Sequence, residues 1–180
     1  LNSSNWAYEL AMRYPIDMSK YTPLVHYCNE LRAGRRVPTT ARGTSAQLGS
    51  FPYVDGKYLS EGSIGIWATE GVMAEPGDVL IAGVGYRSNA RIATERMIVG
   101  TDIYVLRLKE PHLATALVAY LNGQEGYDQR KLRISGSVIP RVSLSELKQL
   151  GVNESRISAP NIDVQHSLDL ASRLDATLWN

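Results

Sequence analysis

Apolar and polar positions change their spacing several times along the chain, and each change marks a predicted element. Val79-Leu80-Ile81 is a continuous apolar run behind the turn sequence Pro76-Gly77-Asp78, which reads as a buried strand after a tight turn. The apolar character then stops. A stretch of small and polar residues presents Tyr86, Arg87, Ser88, Asn89 and Arg91, and Ile103 to Leu108 is apolar and β-branched again. A strand, a polar cationic loop and a returning strand are expected there, forming a platform that holds out hydrogen-bond donors. The chain is organised around this unit.

On the N-terminal side, Trp6, Leu10 and Tyr14 recur every four residues until Pro15, predicting a helix over 5–14. Leu24, Tyr27, Cys28 and Leu31 suggest a second helical stripe. Residues 33–50 are rich in Gly, Arg, Thr and Ser and read as an exposed loop. From Phe51 to Thr69 the pattern becomes short and strand-like, with Asp55-Gly56 placed as a hairpin turn and Ile64 and Ile66 alternating with glycine. On the C-terminal side, Pro111 and the stripe Leu113, Leu117, Tyr120 and Leu121 predict a helix closed by Gly123 at its C′ position. A glycine loop, Gly123 to Gly126, follows. Lys131, Arg133 and Ser135 alternate with Leu132 and Ile134, as in a strand with one cationic face. Ser143 and Glu146 form a capping box for a short helix that stops at Gly151. Val164, Leu168, Ala171, Leu174 and Leu178 recur at spacings of three and four, predicting a long amphipathic terminal helix whose stripe needs a partner.

At 180 residues, 44% of them hydrophobic and 21% charged, the chain fits one globular domain with a small appendage. No apolar run approaches the roughly 20 residues of a membrane span, and no signal-peptide pattern opens the sequence. The lone Cys28 forbids an internal disulfide and fits a reducing compartment, so a cytoplasmic location is expected. The first residue is Leu1, which suits a slice of a longer polypeptide.

A net charge of +1 conceals an uneven distribution. Residues 31–54 carry Arg32, Arg35, Arg36 and Arg42 without an acid, residues 79–94 carry Arg87 and Arg91, and residues 129–145 carry Arg130, Lys131, Arg133 and Arg141. Three basic windows converging on one face would hold a phosphate backbone. The alternative is three unrelated solvated loops.

Chemistry is sparse. His26 and Cys28 stand two apart, a spacing that sends side chains apart on a helix, so a buried structural cysteine is expected rather than a nucleophile. The histidines (His26, His112 and His166) are scattered, with no metal-ligand spacing. Gly83-Val84-Gly85 opens like a dinucleotide fingerprint, but Ser88 stands where the third glycine belongs. No enzyme activity of its own and no cofactor are expected. Arg87, Ser88, Asn89 and Arg91 are candidates for base contact, since Arg pairs with guanine and Asn with adenine in the major groove; Tyr86 would pack on a sugar or a thymine methyl. Otherwise the group is an ordinary surface turn. Arg130, Lys131 and Arg133, with Arg35, Arg36 and Arg42, suit phosphate contact, which positions without reading sequence. Lys57 is a further candidate.

The order of several segments resembles a known family. Gly34-Arg35-Arg36-Val37-Pro38, Gly49-Ser50-Phe51-Pro52-Tyr53-Val54, Pro76-Gly77-Asp78-Val79-Leu80 and Ile134-Ser135-Gly136-Ser137-Val138-Ile139-Pro140 together resemble the target recognition domain of type I restriction–modification specificity subunits. On this resemblance the chain is expected to be a half-subunit that dimerises, or the equivalent C-terminal recognition domain of a fused N6-adenine DNA methyltransferase. The resemblance covers about residues 24–178 and rests on order and spacing more than on any one motif.

It implies an α/β (α+β) fold, a mixed twisted sheet with flanking helices followed by a long spacer helix. The expected division is an extension or linker over 1–22, a DNA recognition domain over 23–158 and the spacer helix over 159–180, in which Gln165 matches a glutamine of the family. It further implies double-stranded DNA as partner, a methyltransferase subunit or domain supplying S-adenosylmethionine and methylating a flipped adenine, a restriction subunit, and dimerisation through the terminal helix. The chain departs from the family in showing one such domain and one spacer helix where the usual subunit has two of each. The competing expectation is a non-catalytic protein-interaction module working through the terminal helix.

Overall fold

A computed structural model describes residues 18–85, 88–135 and 139–158. The predicted helix over 5–14, Tyr86 and Arg87, and the terminal helix with Gln165 lie outside the described residues. In chain order the elements are β1 (Tyr21–Pro23), β2 (Cys28–Ala33), β3 (Arg42–Gly43), β4 (Phe51–Val54), α1 (Gly56–Glu61), β5 (Trp67–Ala68), β6 (Val72–Ala74), β7 (Val79–Ala82), β8 (Ala90–Ile92), β9 (Met97–Val99), β10 (Ile103–Leu108), α2 (Ala114–Asn122), α3 (Gln124–Lys131), α4 (Leu144–Lys148), β11 (Gly151–Asn153) and α5 (Glu154–Ser158). The fold is mixed α+β.

The strands form a four-stranded sheet in the order β2-β10-β7-β8, a five-stranded sheet in the order β3-β5-β4-β9-β6, and the pair β1-β11. The four-stranded sheet is antiparallel throughout, and it lies between two apolar layers. Val79 and Ile81 of β7, with Leu106 and Leu108 of β10, pack against Leu117, Leu121, Leu147 and Leu150 from the helices and loops. Leu80 and Ala82, with Ile103 and Val105, turn the other way onto Val54, Tyr58, Leu59, Met97 and Val99. Alternate side chains of a strand point to opposite faces, so a strand covered on both sides must be apolar at every position. That is the physical content of the unbroken Val79–Ala82 run.

The turn ahead of β7 is held by an acid. Asp78 is 3% exposed and accepts the Glu75 N–H at 2.8 Å. It also accepts a two-pronged bond from Arg107 of β10, at 2.9 and 2.8 Å. The predicted Pro-Gly-Asp turn and the strands at 79–82 and 103–108 thus form as expected, tied together by an ion pair.

Several elements differ from expectation. Residues 24–31 begin as a 3-10 turn at Leu24–Tyr27 and continue as β2, because β2 pairs along β10 and sheet pairing outweighs a helical stripe. Asp55-Gly56 is a helix start: the Asp55 carboxylate accepts the Tyr58 N–H at 2.9 Å and opens α1. Two strands, β8 and β9, occupy the interval between the apolar runs. Gly123 ends α2 with φ of −79° and directly precedes α3, so the expected glycine loop is helical. Gly126 is needed there because a Cβ would stand 2.7 Å from the Leu121 Cα, where the two helices touch. Lys131 ends α3, which removes the predicted cationic strand face. The Ser143 cap holds, with Oγ accepting the Glu146 N–H at 3.2 Å.

Truncating Asp78 strands the Arg107 guanidinium and the Glu75 N–H. Asp78→Ala is expected to cost about 2–3 kcal/mol, read as a lower urea midpoint with an unchanged m-value. Tyr120→Phe removes the buried bond from the phenol to the Gly151 carbonyl, 2.8 Å long. It should cost about 1–2 kcal/mol by the same measurement.

Candidate nucleic-acid interface

Antiparallel pairing sends three consecutive features to one end of the four-stranded sheet. Ala33, at the end of β2, pairs with Tyr104 near the start of β10. Ala82, at the end of β7, pairs with Ile103, and Ala90, at the start of β8, pairs with Ile81. The segment Gly34-Arg35-Arg36, the Asp102 turn and the 83–89 loop therefore leave the sheet side by side. Arg35 and Arg36 are exposed. Arg141 joins the cluster through the bridge Val84–Arg141 and an ion pair with Asp102 at 2.8 Å.

The 83–89 loop is fastened on several sides. The Ala82 N–H donates to the Ser88 carbonyl at 3.1 Å, closing its base, and the Val142 N–H donates to the Gly83 carbonyl at 2.9 Å. Gly85 has φ of +92°, the left-handed region glycine tolerates, and its N–H donates to the Pro140 carbonyl at 3.0 Å. Asn89 is also left-handed, at φ of 42°, a conformation in which Asn is favoured among side-chain-bearing residues. At the far end Asn122 clips the edge strand β8 from the end of α2. Its Oδ1 accepts the Ala90 N–H at 2.8 Å and its Nδ2 donates to the Ala90 carbonyl at 2.9 Å. Asn122 thus completes the sheet edge as a further strand would, and nothing in its local sequence marks it for that task.

The structure divides the predicted cations by duty. Arg91 is tied to α1: its Nε donates to the Leu59 carbonyl at 2.7 Å and its Nη2 to the Ser60 carbonyl at 3.2 Å. Arg133 is half-buried and donates to the carbonyl and side-chain oxygens of Gln129 at 3.0 and 2.9 Å. Burial holds its guanidinium below the usual arginine range. Lys131 places its ammonium 5.1 Å from the centre of the Tyr127 ring. Arg42 lies over the Tyr53 ring at 5.6 Å, on the other sheet. Arg32 donates to the Met73 carbonyl. Lys57 lies on α1, 3.9 Å from Glu61.

Two assignments change outright. Arg130 is 0% exposed, so it offers no surface to a phosphate; its Nε donates to the Gly85 carbonyl at 3.1 Å, and burial pushes its pKa down to about 10. Ser88 is 2% exposed, and its Oγ has no hydrogen-bond partner among the described residues. It borders a groove of about 1140 Å³ shared with Asn89, Arg91, Asn122, Gln124 and Tyr127. Both residues were legible as polar, but a polar residue in a loop gives no sign of being folded under it. The surface that remains at the sheet end comprises Arg35, Arg36, Asn89 and Arg141, the last of which lay in a basic window without being singled out.

Cys28 is buried and donates its thiol to the Leu24 carbonyl at 3.4 Å. Burial raises its pKa to about 12, so the thiolate, the nucleophilic form, is scarce up to pH 9. The folded protein should resist thiol-specific reagents through that range, and one equivalent should react on unfolding. Rapid labelling of the native chain would return Cys28 to consideration as a nucleophile.

No family model and no curated protein matches the chain. Solved structures do. One, from work on complex assembly and conformational transition of the type I restriction–modification system, matches with a TM-score of 0.63 and 18% identity over 96% of this chain and 46% of its own. The type I S subunit from M. genitalium matches with a TM-score of 0.54 and 14% identity over 73% of this chain and 33% of its own. The HsdS subunit from Thermoanaerobacter tengcongensis gives 0.54 and 19% over 86% and 39%. The chain spans less than half the length of each. Its fold is the one that the sequence resemblance implied, that of type I restriction–modification specificity subunits.

Proposed function

We propose that this chain is a sequence-specific double-stranded DNA recognition domain. In this reading it directs adenine-N6 methylation, and restriction where a nuclease subunit is present, by a partner methyltransferase that binds S-adenosylmethionine. The observation that carries the reading is the gathering of Arg35, Arg36, Asn89 and Arg141 at one end of the four-stranded sheet, around a loop braced at both ends. A braced position loses little conformational freedom on binding, so Asn89, between the Ser88 and Ala90 ties, can discriminate. Exposed arginines beside it supply the sequence-independent grip that phosphates require. The likeness to specificity subunits supports the same reading.

Selection of the full chain on random duplexes at moderate salt should enrich a short motif of a few base pairs. Replacing Arg35 and Arg36 by alanine should leave that motif intact. It should reduce the slope of log affinity against log salt by about 1.8, roughly 0.9 for each lost phosphate contact. Asn89→Ala should instead relax one base position at a cost of about 1–3 kcal/mol for the selected site. Equal weakening of all sequences by Asn89→Ala would remove base readout from this loop. A type I modification subunit supplied with this chain should methylate adenine within the selected motif and nowhere else.

A further inference from the structure

Arg130 is the largest fully buried side chain among the described residues. Among the described residues its Nη1 and Nη2 have no hydrogen-bond partner, and no acidic side chain pairs with it. Burying an unneutralised cation is costly, and an apolar side chain of similar volume commonly serves a fold as well or better. Such a residue needs a reason other than packing.

Its remaining nitrogen supplies one. Nε donates to the Gly85 carbonyl, at a point where three pieces of chain meet. The Gly85 N–H is held by Pro140, the Gly83 carbonyl by Val142, and the Val142 carbonyl by the Tyr104 hydroxyl at 2.7 Å. Helix α3 therefore reaches up through Arg130 to the carbonyl of Gly85, the residue whose N–H joins the end of the 83–85 stretch to Pro140.

Building on the DNA-recognition reading, we propose that Arg130 is the positioning residue of the reading loop. From beneath, it fixes Gly85 against the 139–142 segment, and base discrimination depends on it although it touches no DNA. The discriminating surface then includes both segments, and a guanidinium too deep for phosphate sets its shape.

Arg130→Met and Arg130→Lys, made in the full chain, test this. Arg130→Met removes the donor to Gly85 at similar volume and should melt no lower than the parent. Its affinity for the motif selected by the parent should fall at least tenfold, towards that for random DNA, with the salt slope unchanged. Arg130→Lys keeps a donor beneath Gly85 and should restore most of the discrimination. Amide exchange should quicken in Arg130→Met at residues 83–90 and 141–142 and stay constant in β4 and β9. Retention of the parent motif and its discrimination by Arg130→Met overturns the proposal. So does uniform weakening with a slope shallower by about 0.9, which would mark a phosphate contact. A lower melting point in both variants, with exchange raised throughout, would mark a purely structural residue and also overturns it. If the parent itself selects no motif, the DNA reading fails separately, and the exchange comparison still decides whether Arg130 anchors the loop.

Discussion

Double burial of β7 is the constraint on which the rest of the structure depends. Val79 to Ala82 are covered on one face by the helical layer and on the other by the five-stranded sheet, so no polar side chain fits within them. Polar function can begin only where the strand ends. Because β2 and β7 flank β10 and both run against it, their C-terminal ends emerge together. The basic segment after β2 and the loop after β7 are thereby delivered to one edge. Asp78 and Arg107 tie the opposite end of β7 to β10.

Several of the cations in the basic windows are engaged within the fold, four of them (Arg32, Arg91, Arg130 and Arg133) as donors to backbone carbonyls. Arg91 is tied to α1, Arg133 grips its own helix end, Arg130 holds a loop peptide, and Arg42 lies over an aromatic ring. Arg suits this work because its planar fork reaches several carbonyls and stays charged. A count of basic residues therefore overstates the charge available to a polyanion. Among the described residues of those windows, the exposed arginines are Arg35, Arg36 and Arg141, all at the sheet end.

The elements legible in the sequence were those fixed by local chemistry: the Pro-Gly-Asp turn, the β7 and β10 runs, the α2 stripe and the Ser143 cap. Those missed were decided by distant partners. Residues 24–31 carry a helical stripe, yet from Cys28 onward β10 is available to pair with them. Asp55-Gly56 suits a hairpin turn and a helix cap equally, and the cap wins because Tyr58 and Leu59 pack into the core beside β7. The same limit applied to the site. Composition placed Arg35, Arg36 and Asn89 among the candidates, but could not say that Arg130 and Ser88 lie beneath the surface. Nor could it say that Asn122, 32 residues beyond Ala90, completes the edge of the sheet. Order and spacing of short motifs carried the fold resemblance at an identity, 14–19% against the solved structures, where no single motif is decisive.

Amide-exchange footprinting of the full chain, free and bound to the duplex it selects, addresses the central claim most directly. The account predicts slowed exchange at residues 34–36, 83–89 and 139–141, with β3 and residues 44–48 unchanged. Protection on the five-stranded sheet instead, or no protection at the end of β2 and β7, would contradict the assignment of the sheet end as the surface that meets DNA.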